Sequence, residues 1–204
     1  MLSAVILAAG KSTRMGRLKQ LLPWRDDKTI VEAVTDTILA CPEIDDTVRV
    51  IVGAGADTIR PLLEKVSDPR LEVLENRDYA SGMLSSIQRG VAGLPATSAA
   101  FLLALGDQPL VGRSVLATLI RCWQEERPDI LVPVYNGRRG HPVLFGKSLI
   151  PEIQELTTAD KGLRELLLRY PQRVRYLDLA EESIVIDLDT PGDYVKYRPH
   201  EEQE

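Results

Sequence analysis

The segment Leu7-Ala8-Ala9-Gly10-Lys11-Ser12-Thr13-Arg14-Met15-Gly16-Arg17-Leu18-Lys19 gathers cations and glycines directly after an apolar run. Small residues there let backbone N–H groups approach phosphate oxygens, while Arg14 and Lys19 bring the positive charge that a triphosphate requires. The plainer alternative is a basic surface loop, but a glycine-bounded cationic loop straight after the first strand is a more specific pattern. Gly10-Lys11-Ser12 looks like the end of a P-loop, yet that motif needs a glycine five residues earlier, where Val5 stands. Gly53-Ala54-Gly55 sits between a strand and a helix as a dinucleotide fingerprint would, but Thr58 occupies the third glycine position, which leaves a tight strand-to-helix turn. His141 has no second histidine nearby, which argues against a zinc-hydrolase centre. Cys41 and Cys122 fall in predicted helices without CxxC spacing, so two buried, inert thiols are expected.

The elements that must position these residues follow from hydrophobic patterning. With 204 residues and 44% hydrophobic side chains, the chain can bury one substantial core, and it is too short for two independent domains. Short β-branched runs alternate with helical periods: residues 3–7 then 29–40, 47–52 then 57–66, 71–74 then 82–93, and 99–105 then 113–126. Strands that are apolar throughout need cover on both faces, which a parallel sheet between helix layers provides. After Asp129 the rhythm changes to a strand at 130–134, an Asn136-Gly137 turn and a strand at 142–145, a hairpin-like insertion that predicts a mixed sheet. A helix at 161–170, strands at 174–178 and 183–188, and a short helix opened by Pro191 complete the reading. The fold class is α/β, a doubly wound, Rossmann-like, mainly parallel sheet in a single domain. Residues 1–110 are expected to form a nucleotide-binding half and 111–204 an acceptor-binding half. In such a sheet, ligands bind beyond the carboxyl ends of the strands, where the cationic loop must lie.

Charged residues make up 27% of the chain with a formal net charge of -5 and no long block of one sign, which argues against nucleic-acid binding. The longest apolar stretches are of strand length, and the residues after Met1 lack the basic flank and long apolar region of a signal peptide. A cytoplasmic protein with no membrane association is expected.

The run LAAGKSTRMGRLKQLLPW at residues 7–24 resembles the N-terminal signature of the nucleotidyltransferases related to molybdenum cofactor cytidylyltransferase, within the MobA-like NTP transferase superfamily. Segments NRDYASGMLSSIQ (76–88), GDQP (106–109), RGHPVLF (139–145) and DLDTP (187–191) are similar to the same group, in the same order. Ala159-Asp160-Lys161-Gly162 departs from the family's Gly-Asp-x-Gly turn. The resemblance implies that Leu7, Ala8, Ala9, Gly10, Ser12 and Gly53 surround the nucleotide, with Arg14 and Lys19 on its phosphates. It also implies Asp107 as a ligand of Mg²⁺, Asp187 as the second ligand and Asp189 as a helper. A strand-ending carboxylate such as Asp107 is costly unless solvated or paired with a cation. A helix N-cap before Pro109 is the alternative for Asp107, and capping of the Pro191 helix is the alternative for Asp187 and Asp189. Gly82, Ser85, Ser86, Arg139 and His141 are placed around the acceptor, although the serines would equally suit an exposed helix face and Arg139 a loop.

The implied reaction is attack of an acceptor phosphate on the α-phosphorus of a nucleoside triphosphate, with pyrophosphate leaving and no protein nucleophile; Lys19, Arg14 and Asp107 are the catalytic candidates. The family implies a molybdenum-bearing pterin phosphate as acceptor and a molybdenum hydroxylase as recipient of the product. CTP is the expected donor: related guanylyltransferases carry Leu-Ala-Gly-Gly where this chain has Leu7-Ala8-Ala9-Gly10, and the Ala9 methyl would narrow the space beside the base. A sugar or alditol phosphate acceptor, and a cofactor-binding chaperone without catalysis, are the competing readings.

Overall fold

The computed structural model describes residues 1–157 and 162–199. Its elements run β1 (Leu2–Ala8), β2 (Pro23–Arg25), β3 (Lys28–Thr29), α1 (Ile30–Leu39), β4 (Val48–Val52), α2 (Ala56–Leu63) and β5 (Leu71–Glu75). Then follow α3 (Met83–Val91), β6 (Ala100–Leu105), α4 (Arg113–Glu126), β7 (Ile130–Tyr135), β8 (Arg138–Arg139), β9 (Val143–Gly146), α5 (Ile150–Glu155), α6 (Arg164–Arg169), β10 (Val174–Asp178) and α7 (Pro191–Tyr197). The main sheet has the order β10-β7-β9-β6-β1-β4-β5, with β8 paired to the end of β7. β1 pairs in parallel with both β4 and β6, whereas β9 runs antiparallel between β6 and β7. The chain winds outward from β1 to β5 on one side and returns to β6 on the other. The crevice beyond the carboxyl ends of β1 and β6 is therefore a topological switch point.

Alternate residues of the central strands feed two cores. Ala4, Ile6, Val50 and Leu102 pack with α1, α2 and α4 on one face, and Val5, Leu7, Ile51 and Phe101 pack with α3, α5 and α6 on the other. This two-sided demand explains why β1 and β4 are buried at every position. Buried Arg49 on β4 donates to the carbonyls of Gly90, Ala92 and Gly93, which anchors the carboxyl end of α3. A third, smaller cluster joins Met15, Leu22, Trp24 and Ile30 to Leu188 and Tyr194. It clamps the loop after β1 and the β2–β3 hairpin against α7, far apart in sequence.

The expected alternation and mixed sheet are observed, with local corrections. Residues 183–188 do not form a strand: Glu182–Val185 is a short 3-10 helix. The reason is that this segment's polar groups go to the 138–141 loop, where the Ile184 carbonyl accepts from His141 N at 2.9 Å and the Val185 carbonyl accepts from Arg138. Cys41 lies beyond the end of α1, because Pro42 cannot extend the helix. It is buried, and burial reinforced by Glu43 pushes its thiol up to about 11; Cys122 on α4 is only half-buried. The helix expected over 161–170 is observed as α6 from Arg164, and Ala159-Asp160-Lys161 lie outside the described residues. The β2–β3 hairpin and α5 were not anticipated; the hairpin turns through Asp26 and Asp27, both at positive φ. Among the described residues, no helix is long and apolar enough to cross a membrane.

A Cβ added at Gly140 would stand 2.5 Å from the Ile184 carbonyl oxygen, a backbone atom with little freedom to move. Gly140→Ala is expected to destabilise the protein by about 1 to 3 kcal/mol, read as a lower urea midpoint at unchanged m-value. An unaltered midpoint would show that the two loops are not locked together.

Candidate active site

The loop after β1 is shaped by its own side chains. Ser12 takes a left-handed conformation (φ 51°), its Oγ donates to Gln20 Oε1 at 3.1 Å, and it accepts from the Lys19 amide at 3.1 Å. Buried Gln20 in turn donates to the Gly10 carbonyl at 3.3 Å. The Ser12 hydroxyl is thus committed to holding the loop closed, and Gln20, which residue types alone did not single out, is the brace. Behind the loop, the Ala9 carbonyl accepts from Ala54 N at 3.1 Å. A Cβ at Gly53 would lie 2.7 Å from Tyr79 Cβ and 2.9 Å from Ala9 Cβ. Gly53 therefore supports the loop from below and does not line the cleft, and the Ala9 methyl packs toward this glycine floor.

Lys19 is the centre of the charge arrangement. Its Nζ is paired with Asp107 and lies 2.9 Å from Asp189 Oδ1, while Arg14 reaches the other oxygen of Asp189 at 2.7 Å. The Lys19 side chain is 12% exposed and that of Arg14 71%, so Lys19 carries the interaction that solvent screens least. Burial lowers the affinity of this amine for its proton, but the facing Asp107 and Asp189 carboxylates outweigh that and hold its pKa above the ordinary lysine value.

Both alternatives offered for these acids are settled by the helix ends. α4 begins at Arg113 with Gly112 as its cap, so Asp107 caps no helix. α7 is capped by Thr190 in a capping box with Asp193, which leaves Asp189 free to face Lys19. Asp107 arrives there because β6 continues one residue further against β1, through Gly106 N to the Leu7 carbonyl at 2.9 Å. Asp187 is not paired with Lys19; it accepts from Gln108 Nε2 at 2.8 Å.

These groups border a cleft of about 290 Å³. Its lining includes Ala9, Gly10, Ser12, Arg14 and Lys19 from the loop after β1, together with Leu7, Leu105, Tyr79, Met83, Gly82 and Ser86. Gly82 and Ser86, expected around an acceptor, share the cleft with the cationic loop. Ser85 is turned aside, donating to the Gly82 carbonyl at 2.8 Å. Arg139 lies on β8 with its guanidinium over the Tyr176 ring, and neither it nor His141 lines this cleft. Among the described residues no three His, Cys, Asp or Glu side chains form a metal cage. Asp107 and Asp189 nonetheless converge on one cation, and two hard carboxylates suit Mg²⁺ when phosphate oxygens complete its shell. The donor set fits such a metal, with Lys19 as the group that it would displace.

Burial holds the His141 imidazole below its ordinary value of 6.5, against the opposing influence of Asp187 and Asp107. As pH falls through the unfolded value, the unfolded chain takes up a proton that the folded site refuses, so His141 makes the protein less stable in acid. Replacing it with Gln should reduce the loss of stability between about pH 7 and pH 5, measured by urea unfolding. A pH slope equal to that of the native protein would assign the acid sensitivity to other groups.

Residues 4–174 match the MobA-like NTP transferase domain. Molybdenum cofactor cytidylyltransferase of Escherichia coli K12 is 27% identical over 194 residues, 95% of this chain and 94% of that one. Nicotine blue oxidoreductase of Paenarthrobacter nicotinovorans is 35% identical over 201 residues, 92% of each chain. Among solved structures, the Rv0371c homolog from Mycobacterium sp. strain JC1 is similar with a TM-score of 0.78 and 30% identity, covering 96% of this chain and 93% of that one. Rv0371c of Mycobacterium tuberculosis H37Rv, in complex with manganese, gives a TM-score of 0.72 at 28% identity over 96% of each chain. The family match takes in both the cationic loop and the Asp107 turn, and the chain belongs to the MobA-like NTP transferase family of nucleotidyltransferases.

Proposed function

We propose that this protein is a cytidylyltransferase that moves CMP from CTP onto a phosphorylated, molybdopterin-type acceptor and releases pyrophosphate. The observation that carries the reading is the Lys19 amine held between Asp107 and Asp189 beside a braced loop of backbone amides. The amides near Ala9, Gly10 and Ser12 receive the phosphate oxygens, and Lys19 and Arg14 turn from the carboxylates to the triphosphate. Asp107 and Asp189 would hold Mg²⁺, which supplies charge neutralisation and alignment of the α-phosphate. The acceptor's phosphate oxygen attacks in line, so the site's task is to align two anions rather than to provide a nucleophile. We place the base against Leu7, Leu105 and Met83, with Gly82 and Ser86 at its edge. The acceptor half, residues 111–204, presents Arg139 and His141 beyond it, with Asp187 behind.

The molybdenum-containing acceptor is favoured by the similarity to the E. coli cytidylyltransferase along nearly the whole of both chains; a molybdenum hydroxylase would receive the product. A second reading, redox chemistry on the same scaffold, draws on the 35% identical relative named as an oxidoreductase. The Lys19, Asp107 and Asp189 constellation favours transfer, because electron transfer to an organic substrate gives no use for a metal-triphosphate site.

Incubation with each nucleoside triphosphate, Mg²⁺ and molybdenum-loaded pterin, followed by mass measurement, should yield the CMP adduct and pyrophosphate. Predominant guanylylation, or no adduct at all, would overturn the reading. Lys19→Ala is expected to lower kcat/KM by about 10²- to 10³-fold, since it removes a preorganised cation from developing charge. Native kcat/KM in a folded Lys19→Ala protein would remove Lys19 from the mechanism.

A further inference from the structure

The side of the cleft that carries Ser86 is wired by one buried amide. Asn76 follows directly on β5, is 5% exposed, and uses every polar atom of its side chain. Its Oδ1 accepts from the backbone N of Asp78 at 3.0 Å. A backbone N–H can only donate, so this bond fixes which way round the amide sits, and Nδ2 must face the two serines. Nδ2 donates to Ser85 Oγ and to Ser86 Oγ, each at 2.9 Å. The two hydroxyls then differ. Ser85 passes its own proton to the carbonyls of Gly82 and Asp78, at 2.8 and 3.1 Å. Ser86 is 4% exposed, lines the cleft, and among the described residues meets no acceptor for its proton.

We propose that Asn76 is a positioning residue for base choice: by donating to Ser86 it compels that hydroxyl to offer its proton into the cleft, and so selects a base with a carbonyl oxygen there. This rests on the assignment of the cleft to the base of CTP. Cytosine's single carbonyl meets the demand. An edge carrying N–H groups would set donor against donor in a buried place, which leaves both unsatisfied; adenine, with no carbonyl, cannot meet the hydroxyl, and guanine can meet it only through O6.

The test is calorimetric binding of CTP and GTP to the full chain with Mg²⁺. Asn76→Asp is nearly isosteric and still accepts from Asp78 N, but its carboxylate also accepts from Ser86, which turns the hydroxyl's lone pairs toward the base. It should weaken CTP binding by about tenfold to a hundredfold. Asn76→Ala, which leaves the hydroxyl free to rotate, should weaken it less. On a Ser86→Ala background, Asn76→Asp should have little further effect, which separates hydroxyl polarity from the added charge. A measurement that needs no Asn76 variant uses 2-thio-CTP, whose sulfur is a weak acceptor: the native protein should bind it less tightly than CTP, and Ser86→Ala should lose that difference. An equal loss from Asn76→Asp with and without the Ser86 hydroxyl, or equal binding of CTP and 2-thio-CTP by the native protein, overturns the inference. Failure of the native protein to prefer CTP over GTP would instead overturn the cytidylyltransferase reading itself.

Discussion

One amine holds the site together. Lys19 Nζ joins three stretches that are distant in sequence: the loop after β1, the Asp107 turn after β6 and Asp189 just before α7. Two carboxylates brought this close repel each other unless a cation stands between them, and without a ligand Lys19 is that cation. The third hydrophobic cluster makes the meeting possible, since Met15, Leu22 and Trp24 pack with Leu188 and Tyr194 and bring the segment before α7 up to the loop. A largely buried ion pair of this kind contributes little net stability once desolvation is counted. Its value here is positional: it stores a cation and two hard oxygen ligands at the point where, on the proposed function, a metal-bound triphosphate would dock.

The same arrangement would let a chain of net charge -5 accept a highly charged anion. The relevant field is local. The braced loop, Arg14 and Lys19 all line the cleft, and the carboxylates that line it, Asp107 and Asp189, are already paired with these cations. Apolar Leu7, Leu105 and Met83 line the same cleft, so it offers both charged and apolar surface, as the two halves of a nucleotide would require.

Much of this was legible in the sequence because it depends on local pattern. Unbroken apolar strands demanded a doubly covered sheet, and the cationic loop after the first strand located the cleft. Lys19 and Arg14 lie there as their types suggested, joined by Asp107, to which the family resemblance pointed. What failed to show depended on partners far away in the chain. Residues 183–188 have the composition of a strand, but their carbonyls are taken by the 138–141 loop, so strand alternation could not place Asp187 and Asp189; Gln108 holds the first and Lys19 the second. Gly53 has the spacing of a ligand-binding glycine and is in fact a packing glycine beneath Tyr79 and Ala9. Gln20 and Asn76 act through amide groups whose orientation is fixed by single backbone contacts, and residue type carries no trace of that.

The exchange of Lys19 for a metal at its carboxylates can be tested by titrating CTP into the protein in excess Mg²⁺ and again in excess EDTA. With the metal present, Asp107 and Asp189 are engaged and Lys19 is released to the phosphates, so affinity should rise by about tenfold or more. Without it, the triphosphate meets two carboxylates that still hold their lysine, and binding should be weak. Equal affinity for CTP in the two conditions would contradict the account.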